Sequence, residues 1–312
     1  MTSRLAALVA CGVLLLGCSG PDDAPEDDAP VGLPRPAPAD RLPGRVVDTL
    51  GVATFNVYRH LPRRAAMEDA RRLTRNERVD VIGWQETRAD YFPDVRDRLS
   101  RRGWDTWQLW EPDGPFWLAV SWRRDRFELV DGSWTEVHGG AGKQRTDLPF
   151  PPRGYVVVTL RHRDSGRLLT VVDTHLNPGI ETGDGFQDSV NADYAKEHLR
   201  ELAEVWDSVP GDLVVGAGDF NFDFHDDFEA RPEGGVWDTQ HEHAASSYEV
   251  LGLDGVEPTR GSRWIDYVWI ADRTLRVDAK DAGSGQYVAH RSLGGFHSDH
   301  RPLVARIRWY AR

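Results

Sequence analysis

Nine short apolar runs, each the length of a β-strand, recur along this chain, at 49–57, 79–85, 116–122, 127–134, 155–161, 168–173, 213–217, 264–270 and 303–309. Runs of this length, rich in Val, Ile, Phe and Trp and bounded by turn residues, read as strands. Only three segments carry a helical period: 62–76, 91–101 and 188–208. In the last, Tyr194, His198, Leu199, Leu202 and Trp206 form a stripe suited to packing on a sheet. Many strands, few helices and hairpin-length connections predict sheets covered by helices, not a doubly wound nucleotide fold. The sequence has no glycine loop of the Walker or dinucleotide type.

Before the first strand the composition changes twice. Arg4 precedes an apolar run over 5–16 that is too short to span a bilayer as a permanent helix. It ends Leu15-Leu16-Gly17-Cys18, which resembles the lipobox of bacterial lipoproteins. Residues 1–18 are therefore expected to be an export signal with Cys18 as the lipidated residue. Residues 19–45 are rich in Pro, Asp and Ala and nearly free of large apolar side chains, a linker composition. Residues 46–312 contain no second linker and no internal repeat, so one catalytic domain is expected there. Cys11 and Cys18 are the only cysteines, so a mature domain would have no disulfide, thiol nucleophile or Cys-zinc site. The expected address is outside the cytoplasm, anchored by lipid to the outer leaflet of the membrane, as a monomer. A formal charge of −12 excludes a generally basic nucleic-acid coat. It does not exclude a nuclease, because bound cations reverse the local sign of a carboxylate cluster.

The chemistry lies in polar residues at strand ends. Asn56 and Glu86 close the first two runs, His175 follows the run at 168–173, and Asp219 and Asn221 follow 213–217. Asp266 sits within the run at 264–270, and the pair Asp299-His300 precedes the final run. A single Asp or Asn at such a place is usually a turn former; eight positions with two histidines among them call for a site. Asn, Glu and Asp are hard oxygen donors suited to Mg²⁺, Mn²⁺ or Ca²⁺. The histidines add proton transfer near neutral pH and positive charge for a phosphate. There is no His-Glu-x-x-His zincin pattern and no Gly-x-Ser-x-Gly elbow.

Phe55-Asn56, Gln85-Glu86, Asp173-Thr174-His175-Leu176, Gly218-Asp219-Phe220-Asn221, Ile265-Asp266-Tyr267 and Ser298-Asp299-His300 occur in this order. The series resembles the signature motifs of the endonuclease/exonuclease/phosphatase superfamily, across nearly all of 49–309. That resemblance implies a four-layer α/β sandwich, two mixed β-sheets packed face to face with helices outside (the DNase I-like fold). It also implies roles. Glu86 resembles the main metal ligand, with Asn56 and Asp299 in the metal sphere. Asp219 and Asn221 resemble the residues that orient the attacking water and hold the phosphate. His300, backed by Asp266, resembles the His–Asp pair beside the scissile phosphate, and His175 a phosphate binder or general acid. The cofactor implied is Mg²⁺, with Mn²⁺ or Ca²⁺ as alternatives.

Weaker candidates surround this series. Arg153 begins a strand where relatives carry an arginine near the phosphate, or is a surface charge. Arg59 and His60 follow the Asn56 strand and would line a substrate groove. Arg63, Arg64, Arg71, Arg72, Arg75 and Arg78 read as a solvated helix face, and Trp104, Trp107, Trp110, Trp117 and Trp122 as packing. His241 and His243, near Asp238 and Glu242, form a candidate second metal site. Three functions follow: a phosphodiesterase acting on DNA or RNA outside the cytoplasm, a phosphatase or phospholipase-C-type enzyme on a phosphoinositide, sphingolipid or soluble ester, and a lipoprotein binding module without catalysis. Competent residues at every motif position disfavour the third, and the missing lipid-inserting hairpin tilts the reading to the first.

Overall fold

A computed structural model describes residues 45–88, 90–108, 117–141, 150–275 and 285–311. The leader, Cys18 and the linker up to residue 44 lie outside the described residues, as do Trp110 and Phe116, the first residue of the run at 116–122. The strands are β1 (Val46–Asn56), β2 (Val81–Gln85), β3 (Trp104–Gln108), β4 (Ala119–Arg123), β5 (Phe127–His138), β6 (Arg153–His162), β7 (Leu168–His175), β8 (Leu213–Asp219), β9 (Ala244–Ser246), β10 (Asp266–Ala271), β11 (Tyr287–Ser292) and β12 (Leu303–Tyr310). The helices are α1 (Arg63–Thr74), α2 (Phe92–Ser100), α3 (Val190–Ser208), α4 (Phe224–Ala230), α5 (Val236–Gln240) and α6 (Ser247–Leu251).

The strands form two six-stranded sheets, ordered β11-β12-β1-β2-β4-β3 and β5-β6-β7-β8-β10-β9. Each is mixed: β1 and β2 run parallel, as do β7 and β8, and the other neighbours are antiparallel. The two-residue period of a strand decides which side chains face the second sheet. On β1, Leu50 and Val52 join the core between the sheets, while Ala53 and Phe55 pack beneath α1 and α2. Helix α3 covers the second sheet; Ser189 caps its first turn by accepting the Ala192 N–H at 3.2 Å, and Trp206 lies against Gly216. Helices outside two stacked sheets make the expected four-layer α/β sandwich.

The same parity turns Thr54 and Asn56 of β1, Gly83 and Gln85 of β2, Asp173 and His175 of β7, and Ala217 and Asp219 of β8 toward the opposing sheet. Gln85 Nε2 accordingly donates to Asp173 Oδ1 across the gap at 2.6 Å. A Cβ at Gly83 would lie 2.6 Å from both Asp173 Oδ1 and Ala217 Cβ, so only glycine lets the sheets approach here. The C-terminal ends of two parallel pairs thus meet at one end of the sandwich.

Strands β3, β9 and β11 were not legible as apolar runs. Each forms a sheet edge, where one side of the strand stays solvated and polar residues such as Asp105, His290 and Arg291 are tolerated. The arginines of α1 and of the turn that follows it are solvated as expected: Arg63, Arg64, Arg72, Arg75 and Arg78 are exposed and Arg71 half-buried. Trp104 and Trp122 are buried, and Trp107 packs partly buried against the inter-sheet core. The candidate second metal site does not assemble. His243 pairs with Asp207 at 2.7 Å, whereas His241 stacks on Trp237 and faces Glu249 at 3.7 Å.

Candidate active site

The converging strand ends line one cleft. Asn56 and Glu86 come from the first sheet, His175, Asp219 and Asn221 from the second, and Asp299 and His300 from the loop before β12. Arg153 enters from the start of β6, and Arg59 and His60 from the turn after β1. Asp266, at the start of β10, stands behind His300. Tyr58, Pro178 and Arg260 also line the cleft. Nothing in the sequence singles these out, since they sit in loops whose only mark is proximity to a motif.

Three non-glycine cleft residues hold left-handed backbones: Tyr58 (φ 56°), Glu86 (φ 60°) and Asn221 (φ 50°). Such residues cost about 1–3 kcal/mol each and persist where their surroundings over-determine them. The restraints are visible. Asn56 Oδ1 accepts the Tyr58 N–H at 2.9 Å, Asp219 Oδ1 accepts the Asn221 N–H at 2.9 Å, and the Tyr91 hydroxyl donates to the Glu86 carbonyl at 3.1 Å.

Asp219 is the hub. Its Oδ2 accepts from Asn56 Nδ2 at 2.9 Å and lies 3.4 Å from His175 Nε2 and 3.6 Å from His300 Nε2. Burial pushes its carboxyl up to about 6, with the neighbouring His300 charge pulling the other way. For His300, burial favours the neutral ring, yet the carboxylates of Asp266 and Asp219 outweigh it and hold the imidazole up to about 9. The Asp266 Oδ2 contact to His300 Nδ1 is 2.8 Å, so an imidazolium points Nε2 toward the cleft.

Arg153 and His175 depart from what their positions in the sequence suggest. Arg153 is no surface charge: it is 2% exposed. Its partners are Asn177 Oδ1 and His175 Nδ1, both at 3.3 Å, and no carboxylate pairs with it among the described residues. Burial holds the guanidinium down to about 10. Burial first, and then the Arg153 charge, keep His175 well below the ordinary imidazole range. The second histidine therefore supplies no positive charge. Because Arg153 can only donate, His175 Nδ1 is the acceptor, which leaves the proton on Nε2 facing Asp219.

Asp173, inside one of the sequence motifs, does not reach the cleft. Burial raises its carboxyl far above the usual range, and among the described residues its Oδ2 has no hydrogen-bond partner, as fits a neutral acid pinning the sheets together. Asp219, Asp266 and His300 offer donor atoms close enough for a cation. A charged His300 held by Asp266 would repel one, so this trio suits proton handling better. Glu86, Asn56 and Asp299, the metal ligands expected from the sequence, line the same cleft. Glu86 Oε2 accepts the Arg59 N–H at 2.5 Å, and Asp299 Oδ2 accepts from Arg260 Nε at 3.1 Å.

No family profile matches the chain. Among solved structures, an endonuclease/exonuclease/phosphatase from Bacteroides vulgatus superposes with a TM-score of 0.62, at 15% identity, over 84% of this chain and 99% of that one. This is the DNase I-like fold. The human Nocturnin catalytic domain, solved with a bound sulfate, superposes with a TM-score of 0.57 at 19% identity, covering 83% of this chain and 93% of its own. In sequence, the chain is 22% identical over 228 residues to the CCR4-Not complex 3'-5'-exoribonuclease subunit Ccr4 of Candida albicans. That alignment covers 61% of this chain and 29% of the fungal protein.

Proposed function

We propose that this chain is a divalent-metal-dependent phosphoester hydrolase of the endonuclease/exonuclease/phosphatase superfamily, acting as a phosphodiesterase on nucleic acid. The observation that carries the reading is Arg153, a buried cation that no carboxylate pairs with among the described residues, in a cleft beside two buried histidines. A buried charge is costly unless it is paired, and the partner this geometry invites is an anion with the oxygens of a phosphate. The exoribonuclease named as a sequence relative supports nucleic acid as the ester.

Each residue then has a task. Arg153, the Nε2–H of His175 and Asn221 hold the phosphoryl oxygens. Asp219, with a carboxyl near 6, takes the proton of the attacking water at neutral pH. The His300 imidazolium, backed by Asp266, neutralises charge that grows on the phosphoryl group. Glu86, Asn56 and Asp299 would hold Mg²⁺, Mn²⁺ or Ca²⁺, which when bound polarises the phosphoryl oxygen and acidifies water. The sequence reading adds an address to this proposal: a domain outside the cytoplasm, tethered through lipidated Cys18.

The test is a hydrolysis panel of plasmid DNA, RNA, sphingomyelin, inositol phosphates and a chromogenic phosphodiester, with chelator and with Mg²⁺ or Mn²⁺ restored. Cleavage of DNA or RNA that stops in chelator is expected. Turnover undiminished in chelator defeats the metal assignment, and hydrolysis of only the lipid or inositol esters moves the substrate to the phosphatase or phospholipase class.

A further inference from the structure

Helix α1 packs on the outside of the first sheet, yet one of its side chains is devoted to the cleft loop. Asp69 is fully buried. Its carboxylate accepts the His297 N–H at 2.8 Å and the Ser298 N–H at 3.0 Å, and lies 2.7 Å from His297 Nδ1. Among the described residues no lysine or arginine reaches it, so these three contacts offset the cost of burying a carboxylate there. Ser298 passes the restraint on. Its hydroxyl donates to the Asn56 carbonyl at 2.8 Å and accepts the His300 N–H at 3.1 Å. Arg72, three residues along the same helix face, donates to the Gly295 carbonyl and lies 5.7 Å over the Phe296 ring.

We propose that Asp69 is a positioning residue for the site: by fixing the backbone at His297–Ser298 it seats Asp299 and His300 against Asn56 and Asp219. The loop connects β11 to β12, and its two cleft residues directly follow the peptide groups that Asp69 binds. Without that carboxylate, two part-buried N–H groups lose their acceptor and the loop loses its link to α1. Partners one shell outside a site act in this way by orientation, without touching substrate.

The assignment rests on the hydrolase reading, and the experiment separates the two. Asp69→Asn in the full chain retains the volume and removes the charge and one acceptor. Expected are a fall in kcat of about 10–100-fold and a comparable loss of Mn²⁺ affinity measured by calorimetry. Inhibition by inorganic phosphate, carried by Arg153, should be unchanged. Combined with His300→Gln, the loss in kcat should fall short of the product of the two single losses. Wild-type kcat and Mn²⁺ affinity in Asp69→Asn overturn the proposal, and so does a loss that multiplies fully with that of His300→Gln. If Asp69→Asn does not fold, His297→Ala removes one of the three contacts at a half-exposed position. It should show a smaller loss of both kcat and Mn²⁺ affinity at nearly unchanged Tm, and no loss of either refutes the role. A wild type that hydrolyses no ester of the panel defeats the hydrolase reading, while the Mn²⁺ comparison still tests Asp69.

Discussion

Replacing Arg153 with methionine should make the ligand-free protein more stable and the enzyme inactive. Burial holds the guanidinium at about 10, against an ordinary value near 12.5. At ~1.4 kcal/mol per pH unit, that difference is about 3 kcal/mol of burial cost carried by the folded state at neutral pH. Methionine fills much of the same volume without the charge. Against this gain, His175 Nδ1 and Asn177 Oδ1 each lose a donor. Both contacts are long, 3.3 Å, so each loss belongs at the lower end of the range for an unsatisfied group, ~1 kcal/mol. The net is a stabilisation of about 1 kcal/mol, or a rise in Tm of about 2 °C for a domain of this size. Phosphate should act in the opposite sense. Inorganic phosphate should raise the Tm of the wild type by mass action and leave that of Arg153→Met unmoved, with kcat/KM reduced by at least ~100-fold. The assay is thermal unfolding of both proteins across a phosphate titration, beside hydrolysis of a chromogenic phosphodiester. A variant that melts well below wild type and is still stabilised by phosphate would refute the claim that Arg153 is a cation held for a ligand.

Three further outcomes follow from the site and its surroundings. His175→Ala and His300→Gln should each lower kcat about 10²–10⁴-fold under saturating metal; near-wild-type turnover in a folded variant removes that histidine from the site. The glutamine is chosen because alanine at 300 would leave Asp266 buried beside Asp219 without a donor. His198 is fully buried and bonded to Thr174 Oγ1 at 2.9 Å, and burial holds its imidazole down to about 3. The unfolded chain therefore takes up this proton first as pH falls, and stability is lost from about pH 6.5 downward at up to ~1.4 kcal/mol per unit. Urea unfolding at pH 6.5, 5.5 and 4.5 should give a shallower slope for His198→Leu; equal slopes would mean the folded ring is not held neutral. Cys18→Ser should release the protein from the membrane fraction, since several acyl chains anchor firmly where one does not; identical fractionation of variant and wild type contradicts the lipid anchor.

The cleft was legible to different depths at different residues. Asn56, Glu86, His175 and Asp219 could be picked out because each follows an apolar run, and a polar group that ends a buried strand has few reasons to be there. Arg153 could not be separated from a surface arginine. A single cation at the start of a strand has no period, and its burial comes from β7 and from residues more than twenty positions away. Tyr58 and Arg260 lie in loops, where local pattern carries no direction. Asp69 was invisible for the opposite reason: on an arginine-rich amphipathic helix, one more charged residue reads as solvated until the 295–298 loop is laid over it.

Fold class and the identity of the acid, amide and imidazole groups follow from the sequence itself, because strand length, apolar period and residue chemistry are local properties. Protonation states and partnerships are not local. His175, which closes β7, and His300, in the loop before β12, are the same residue type in one cleft, yet their surroundings push the first imidazole down and the second up. Asp219 lies near both rings; the difference arises because packing the two sheets together sets Arg153 beside the first and Asp266 against the second. Burial disfavours the charged form of both rings; at His175 the Arg153 charge adds to it, whereas at His300 the nearby carboxylates outweigh it. Only the tertiary structure brings them there.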